Sequence, residues 1–281
     1  MMNANIQLAR SFLFVPGNRP ERYVKALNSG ADLVIVDLED AVAASDKPAA
    51  RAALQQAWPG FSAEDRSRLL VRINACDSVW HSDDLQLMRL LQPVALLLPK
   101  AETAAQIVGL SHAMGPSCAL IPLIESALGV FNLHSIAAAP QVIRLALGHI
   151  DLQVDLGMQC GADESELLPV RFAMVLASRL AQLAAPLDGV TVRTDDPAQM
   201  HSDTLRGKRI GFGARLCIHP SQVAPAHAAL APSAEELDWA RRVVAADAAS
   251  QGAAIKLDGR MIDRPVVMLA QRTLALAHQA Q

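Results

Sequence analysis

Charged side chains follow five consecutive apolar runs of the sequence, at the point where each run ends. The endings are Val36-Asp37-Leu38-Glu39-Asp40, Val71-Arg72-Ile73-Asn74, Leu98-Pro99-Lys100, Leu123-Ile124-Glu125 and Gly148-His149-Ile150-Asp151. Carboxylate oxygens are ligands that Mg²⁺ accepts, and magnesium usually keeps part of its octahedron for water and substrate. Glu125 and Asp151 are therefore predicted to hold one such cation.

Arg72 adds the opposite charge to this set. Its planar guanidinium suits a carboxylate, which it can bind through two parallel hydrogen bonds. The combination of this arginine with one cation and two carboxylates predicts a chelating 2-oxo acid or hydroxy acid as the substrate. Lys100 and Gly148 are also predicted to bind the substrate, and the missing side chain of Gly148 would let it approach the backbone closely. Asp37 is assigned to the scaffold.

Each of these residues also has a structural interpretation. A carboxylate after a strand often caps the next helix or lies near its positive N-terminal end, which applies to Glu125 and Asp151. Arg72 could equally form a structural ion pair with Glu39 or Asp40. Caps prefer Ser, Thr, Asn and Asp over Glu, Arg and Lys, so five such endings together favour a functional site. Two histidines, His149 and His219, are weaker candidates for function.

The elements that must position these residues are eight apolar, β-rich runs that alternate with helical patterns. The predicted strands are 11–16, 32–38, 69–74, 95–100, 118–125, 142–148, 189–194 and 213–219. Such alternation indicates parallel βα units, and eight units predict a closed TIM (β/α)8 barrel. Active sites of these barrels lie at the carboxyl ends of the strands, so the charged endings are expected at one mouth.

Helical patterns follow the predicted strands and continue beyond them. They cover 21–28, 47–57, 83–91, 103–113, 128–138, 166–183, 197–209 and 222–229. The barrel is predicted over residues 1–230 and a C-terminal helical extension, packing on a neighbouring subunit, over residues 231–281. In the extension, Ser233 is the predicted N-cap of a long Ala-rich helix, residues 256–263 form a break, and Pro265 begins the last helix.

Composition disfavours several other classes of protein. The chain has 281 residues, 52% of them hydrophobic, which is enough to bury a large core. Its formal net charge is −3, and no segment gathers the basic residues that a nucleic-acid partner requires. Apolar stretches fall short of the roughly 20 residues that span a membrane. Four widely spaced cysteines indicate neither a zinc site nor a disulfide framework, so a cytoplasmic protein is expected.

Eight motifs, in order along the chain, carry a resemblance to a known family. They are Phe14-Val15-Pro16-Gly17-Asn18-Arg19-Pro20, Val36-Asp37-Leu38-Glu39-Asp40-Ala41-Val42, Val71-Arg72-Ile73-Asn74, Leu98-Pro99-Lys100, Pro122-Leu123-Ile124-Glu125, Asp188-Gly189-Val190, Ile218-His219-Pro220-Ser221-Gln222-Val223 and Leu257-Asp258-Gly259-Arg260-Met261-Ile262-Asp263. Over nearly its full length the chain resembles the citrate lyase β-subunit-like branch of the HpcH/HpaI aldolase/citrate lyase family. The resemblance implies a magnesium-dependent lyase, a homo-oligomer of three subunits or a multiple of three, that acts on malyl-, citramalyl- or citryl-CoA thioesters.

The resemblance also implies roles for single residues. Glu125 and Asp151 would bind the metal and Arg72 the acid, in agreement with the chemistry of their side chains. Arg72, Glu39 and Asp263 are the predicted catalytic residues. In relatives that act on CoA esters, the aspartate that Asp263 matches reaches the neighbouring subunit's site. Its structural alternative is an N-cap of the last helix, because Pro265 follows two residues later.

The sequence departs from the family pattern in two places. Arg215 stands where relatives commonly carry lysine, and Ile150 stands where many have an acidic residue directly before the metal aspartate. Three functions therefore stay open alongside a non-catalytic metabolite-binding role. They are an acyl-CoA carbon–carbon lyase, a CoA-independent aldolase of 4-hydroxy-2-oxo acids, and a citrate lyase subunit that receives its substrate on a carrier protein and is inactive alone.

Overall fold

Eight parallel strands close into a barrel in chain order, with β8 paired to β1. The structure, a computed structural model, describes residues 2–250 and 253–279, and the chain divides into two compact units between His227 and Ala228. The barrel strands are Ser11–Pro16 (β1), Leu33–Asp37 (β2), Leu69–Arg72 (β3), Ala95–Leu98 (β4), Ala119–Ile124 (β5), Ala146–Leu147 (β6), Leu187–Asp188 (β7) and Ala214–Cys217 (β8). The predicted TIM barrel is confirmed.

Helices alternate with the strands of the barrel unit, and the last two helices belong to the second unit. They are Met2–Leu8 (α1), Tyr23–Leu27 (α2), Lys47–Ala57 (α3), Ala63–Arg68 (α4), His81–Leu91 (α5), Ala104–Met114 (α6), Ala127–Phe131 (α7), Leu133–Ala137 (α8), His149–Leu156 (α9), Leu168–Leu180 (α10), Pro197–Ile210 (α11), Val223–Leu230 (α12), Ala234–Ala249 (α13) and Arg264–Gln279 (α14). Within the described part of the chain, no helix combines the length and apolar character needed to span a bilayer.

The alternation of side chains along the strands directs the charged endings into the barrel. Leu33 and Ile35 of β2 belong to the inner cluster, whereas Val34 and Val36 pack in the outer layer with the helices. Because successive side chains of a strand point to opposite faces, Asp37 is the next inward position. The same period places Arg72 after Leu70 of β3 and Glu125 after Leu123 of β5.

Two predicted strands were wrong in extent. Strand seven was predicted at 189–194, but β7 is Leu187–Asp188, in register with Ala146 and Ala214. The alternating valines 190 and 192 imitated a strand, although Val192 is exposed. Strand six was predicted at 142–148, but β6 covers only Ala146–Leu147, and Val142 makes an isolated bridge to β5.

Three helices of the barrel unit were missed, namely α1, α4 and α9. Each has six to eight residues, which is shorter than the window in which helical periodicity can be recognised. Two predicted helices also have different bounds. The pattern at 128–138 is divided at Asn132 into α7 and α8, and the pattern at 166–183 begins with a 3₁₀ turn, Ser165–Leu167, before α10.

The second unit contains a hairpin that was not predicted. Ser233 caps α13 through a capping box with Glu236, as expected. The predicted break at 256–263 is instead two antiparallel strands, Ile255–Leu257 (β9) and Arg260–Ile262 (β10). Asp258 and Gly259 form their turn, both with positive φ, as the Asp-Gly pair favours in two-residue hairpins. The extension is therefore helical with a small hairpin.

A buried arginine closes the amino-terminal end of the barrel. Arg144 is 1% exposed, and its guanidinium donates to the carbonyls of Ile6 at 3.0 Å, Ala9 at 2.7 Å and Ala185 at 2.7 Å. The same group lies 5.5 Å from the ring centroid of Phe12. These contacts join α1 to the segments that precede β1, β6 and β7, and so stabilise the barrel from the end opposite the mouth.

Arg144→Leu is expected to lower the free energy of unfolding by about 3 kcal/mol, because three buried carbonyls lose their donor. Denaturant unfolding followed by circular dichroism measures the loss. The matched control is Arg179→Leu at an exposed position of α10, where a change within about 0.5 kcal/mol is expected. Equal losses in the two variants would contradict this role for Arg144.

Candidate active site

A cavity of about 280 Å³ lies at the carboxyl ends of the barrel strands. Its polar lining consists of Asp37, Arg72, Glu125, His149 and Asp151. Its remaining lining is Phe14, Pro16, Ala41, Leu123, Leu147, Gly148, Ile150, Val190, Leu216 and Ile218. Four predicted site residues, Arg72, Glu125, Gly148 and Asp151, therefore meet around one mostly apolar space.

Arg72 is held in place by two carboxylates. Its Nε lies 2.7 Å from Asp37 Oδ1 and its Nη2 2.5 Å from Asp37 Oδ2, while its Nη1 lies 2.9 Å from Glu39 Oε2. The guanidinium also lies 4.8 Å from the centroid of the Phe14 ring. Burial alone would lower the pKa of Arg72, but the charges of Asp37 and Glu39 outweigh burial and raise it. Arg72 therefore stays charged, and Asp37 takes two of the five N–H groups of its guanidinium.

Arg72 thus forms the structural ion pair with Glu39, and it also lines the cavity. The carboxylate of Asp40 is mostly exposed and lies 3.9 Å away, so Glu39 is the closer partner. Asp37, which was assigned to the scaffold, lines the cavity and fixes the orientation of the arginine. A buried, bidentate pair of this kind leaves the guanidinium little freedom to turn.

Glu125 is a buried carboxyl group in the cavity wall. It is 4% exposed, and its Oε1 accepts a hydrogen bond of 2.7 Å from the backbone N–H of Lys100. Burial, supported by the charges of Glu39 and Asp151, raises the pKa of Glu125 to about 8. A side chain at position 148 would collide with Glu125 Oε2, so the glycine makes room for this carboxylate.

Asp151 occupies a different environment from Glu125. It is exposed and lies in the first turn of α9, the short helix that follows β6. The N-terminal end of a helix is electropositive and therefore favours a carboxylate there. The two carboxylates thus combine a rigid, buried ligand position with an open one. Such a pair can hold a cation that keeps positions for water and substrate.

Glu39 and Lys100 line a neighbouring cavity of about 360 Å³, outside the one that holds Arg72. Burial raises the pKa of Glu39 to about 7, although the charge of Arg72 opposes the shift. This carboxyl group can therefore exchange a proton near neutral pH. Lys100 is exposed, has a positive φ of 48°, and contributes to the first cavity through its backbone N–H, which fixes Glu125.

His219 and Asp263 both make capping hydrogen bonds. His219 Nδ1 accepts from the backbone N–H of Ser221 at 3.2 Å, which caps the 3₁₀ turn after β8. Asp263 belongs to the second unit, and its Oδ1 accepts from the backbone N–H of Val266 at 3.3 Å at the start of α14. The structural alternative for Asp263 is therefore present, while its catalytic role stays a prediction.

A second groove, of about 310 Å³, shares Phe14, Pro16 and Ile218 with the first cavity. Arg22 and Lys25, which follow β1, give it exposed cationic groups. Sequence reasoning missed both residues, although basic side chains shortly after a barrel strand are a recognisable feature. The groove therefore adjoins the first cavity and places two cationic side chains near it.

The candidate metal ligands of the cavity are the carboxylates of Glu125 and Asp151. Among the residues that the structure describes, no group of three or more His, Cys, Asp or Glu side chains could hold a metal ion. Two oxygen ligands at Glu125 and Asp151 fit Mg²⁺, which binds proteins through one or two carboxylates and completes its shell with water and substrate. They do not fit a structural zinc site, which takes four protein ligands.

The sequence was compared with known families and proteins. Residues 10–220 match the HpcH/HpaI aldolase/citrate lyase family. A citrate lyase subunit beta-like protein of Mycobacterium tuberculosis is 37% identical over 275 residues, or 96% of each chain. A (3S)-malyl-CoA thioesterase of Cereibacter sphaeroides is 33% identical over 95% of this chain and 94% of its own.

A solved structure extends the likeness to three dimensions. The crystal structure of protein CitE from Mycobacterium tuberculosis, in complex with magnesium, acetoacetate and coenzyme A, has a TM-score of 0.87 and 36% identity. It covers 97% of this chain and 99% of that one. The resemblance identified from the motifs is confirmed over the barrel and beyond it. The chain belongs to the HpcH/HpaI aldolase/citrate lyase family, a lyase family.

Proposed function

We propose that this protein is a magnesium-dependent carbon–carbon lyase of short hydroxyacyl-CoA thioesters, of the malyl-, citramalyl- or citryl-CoA type. It would release an acyl-CoA and a 2-oxo acid, or join them in reverse. The observation that carries the proposal is the meeting of Glu125, Asp151 and Arg72 around one apolar cavity. The magnesium, acetoacetate and coenzyme A of the similar CitE structure support it.

Arg72 and the two carboxylates have separate roles in the proposed reaction. Glu125 and Asp151 would hold Mg²⁺, which when bound supplies a Lewis acid to the oxygens of the acid. Arg72 would bind the carboxylate of the acid through N–H groups that Asp37 does not use. The apolar lining, including Leu123 and Leu216, would exclude water from the reacting carbons.

The cleavage itself needs a proton acceptor for the substrate hydroxyl. We assign this role to Glu39, since its carboxylate lies 2.9 Å from Arg72 Nη1 at the edge of the first cavity and its pKa, raised by burial to about 7, lets it take a proton at neutral pH. As the hydroxyl loses its proton, a carbonyl forms and the carbon–carbon bond breaks. The electron pair of that bond passes to the thioester fragment as an enolate, which then takes up a proton to give the acyl-CoA.

The second groove is the proposed site of the CoA moiety. Arg22 and Lys25 carry charges that complement its phosphates, and the shared wall at Phe14 and Ile218 connects the groove with the reacting centre. Asp263 is proposed to act in the site of a neighbouring subunit, where it would exchange the proton of the acyl group. This role requires an oligomer, which we propose to be a trimer or a multiple of it. We also propose that the protein is cytoplasmic.

Thioester hydrolysis is a second candidate, favoured by the 33% identity with a (3S)-malyl-CoA thioesterase. The two reactions give different products from one substrate. A lyase forms an acyl-CoA and a 2-oxo acid from malyl-CoA, whereas a thioesterase forms free CoA and malate. The carrier-dependent subunit and the CoA-independent aldolase differ again, because the first needs partner subunits and the second needs no thioester.

The lyase assignment predicts Mg²⁺-dependent release of an acyl-CoA and an oxo acid from one of malyl-, citramalyl- and citryl-CoA. Chromatography of the products, with Mg²⁺ or with a chelator, measures both fragments. Asp151→Asn should lower kcat/KM at least 100-fold, because one metal ligand is weakened. Free CoA without an oxo acid would indicate hydrolysis, and cleavage of 4-hydroxy-2-oxo acids alone would indicate the aldolase.

Glu125→Gln is expected to stabilise the metal-free protein at neutral and alkaline pH. The carboxyl has a raised pKa of about 8 in the folded state, against an ordinary value near 4.5, so folding favours its neutral form. The contribution of this neutral carboxyl to the free energy of unfolding is complete below about pH 4.5. It is lost as the pH rises through about 8, at up to roughly 1.4 kcal/mol per pH unit.

Unfolding of both proteins in chelator, from pH 5 to pH 9, measures this difference. Calorimetry should also show that Mg²⁺ binds wild type more tightly as the pH rises toward 8, because the metal needs the ionised carboxylate. The glutamine variant should lose this binding. A pH-independent stability difference, or full magnesium affinity in the variant, would refute the role of Glu125.

The double variant Arg22→Ala/Lys25→Ala is expected to raise KM for the thioester about tenfold, which corresponds to about 1.4 kcal/mol. Its affinity for the free 2-oxo acid should stay that of wild type, because the acid lies in the first cavity. Arg209→Ala, which removes an exposed cation from the last turn of α11, serves as the control. An unchanged KM in the double variant would exclude the groove as the CoA site.

A further inference from the structure

A buried ion network lies beside the mouth, on the side of β7 and β8. Asp188, the last residue of β7, binds Arg171 Nε at 3.1 Å and Arg215 Nη1 at 3.0 Å. Arg171 also pairs with Glu164, which precedes the 3₁₀ turn before α10. Arg206 Nη2 of α11 lies 2.9 Å from the same carboxylate of Glu164. Glu164 is thus tied by two arginines to the barrel wall.

The backbone of Glu164 is in a conformation that glutamate rarely adopts. Its φ is 49° and its ψ 37°, in the left-handed region that favours glycine. Such a conformation costs about 1 kcal/mol or more, and it persists only where the surrounding structure determines it. The ion pairs with Arg171 and Arg206 hold Glu164 in this conformation. The strain and the ion pairs together hold the carboxylate at one fixed point.

His149 lies between this carboxylate and the end of β7. It is 4% exposed, and its Nε2 lies 3.7 Å from Glu164 Oε1. On the other side the ring rests against Gly189, where an added Cβ would collide with Nδ1. The ring is therefore enclosed by Glu164 and by a position that has no side chain.

A side-chain hydrogen bond within α9 reaches its first turn, where Gln153 Nε2 donates to the backbone carbonyl of His149 at 3.1 Å. The N-cap of α9 is Gly148, which has no side chain and makes no side-chain capping bond. Of the residues next to Asp151 in this turn, Ile150 is exposed, whereas His149 and Leu152 are buried. The buried ring of His149 is thus the side chain of this turn that meets the ion network, across an Nε2–Oε1 distance of 3.7 Å that is longer than a hydrogen bond.

We propose that Glu164 is a positioning residue which, through His149, fixes the first turn of α9 and so keeps Asp151 at the cavity wall that it shares with Glu125. This inference rests on the proposed metal site. Glu164 is not part of the cavity lining, so its proposed effect is on how well the two carboxylates are arranged for a cation. Supporting residues of this kind commonly change metal affinity 10- to 100-fold when replaced.

The test uses Glu164→Gln in the full-length protein, with Glu166→Gln as the matched control. Glu166 is a carboxylate of the same loop, but it accepts from the backbone N–H of Gly161 at 3.2 Å. Hydrogen exchange of residues 149–156 in the metal-free protein reports the order of α9. Calorimetric titration with Mg²⁺, in the presence of pyruvate as a probe acid, reports the affinity.

Glu164→Gln should speed exchange in the first turn of α9 and weaken Mg²⁺ binding about tenfold, while the control behaves as wild type. Glu164→Gly, which fits the left-handed backbone without strain, should give the same loss and so separates positioning from misfolding. In a protein that already carries His149→Ala, Glu164→Gln should cause no further change in hydrogen exchange or in Mg²⁺ affinity.

Wild-type exchange and affinity in Glu164→Gln would overturn the proposal, as would an equal loss in the Glu166→Gln control. The metal-free exchange measurement also separates this inference from the function on which it rests. If wild type binds no Mg²⁺, the proposed function fails. Unchanged exchange in Glu164→Gln, with normal magnesium binding by wild type, would defeat the positioning role alone.

Discussion

The burial of one carboxyl group, Glu125, constrains the rest of the mouth. A buried carboxylate is costly unless it is hydrogen-bonded or paired with a cation. In the metal-free protein, burial raises the pKa of Glu125 to about 8, and the N–H of Lys100 is its hydrogen-bond donor. Gly148 is required beside it for space. In our proposal a divalent cation completes this arrangement, and Asp151 supplies the second oxygen ligand.

Arg72, the positively charged group of the site, is also held in a fixed position. Asp37 binds Arg72 through two hydrogen bonds, Glu39 forms an ion pair with Nη1, and in our proposal the remaining N–H groups bind a substrate carboxylate. The orientation of the guanidinium is therefore fixed by the fold, before the proposed acid binds. Such preorganisation reduces the cost of ordering the site when the acid binds. Burial also raises the pKa of Glu39, and in our proposal this one cluster therefore combines recognition of the acid with proton transfer.

Much of this site could be predicted from the sequence, because the period of two along a strand directs alternate residues into a barrel. The inward positions of Asp37, Arg72 and Glu125 follow from that period. Other features depend on contacts between distant segments, which no local pattern encodes. The pairing of Arg72 with Asp37, the links of Glu164 to Arg171 and Arg206, and the shift of β7 to Leu187–Asp188 are of this kind. By contrast, the Asp258-Gly259 pair is a local signal of a two-residue hairpin turn, so β9 and β10 could have been predicted from the sequence.

The most direct test of this account is to locate the cation itself. Crystals of the protein grown with Mn²⁺ in place of Mg²⁺, and with pyruvate, would give an anomalous difference map that marks the metal. The account predicts one strong peak within coordination distance of both the Glu125 and Asp151 carboxylates, with the pyruvate carboxylate next to Arg72. A peak elsewhere in the barrel, or no peak at millimolar Mn²⁺, would contradict it.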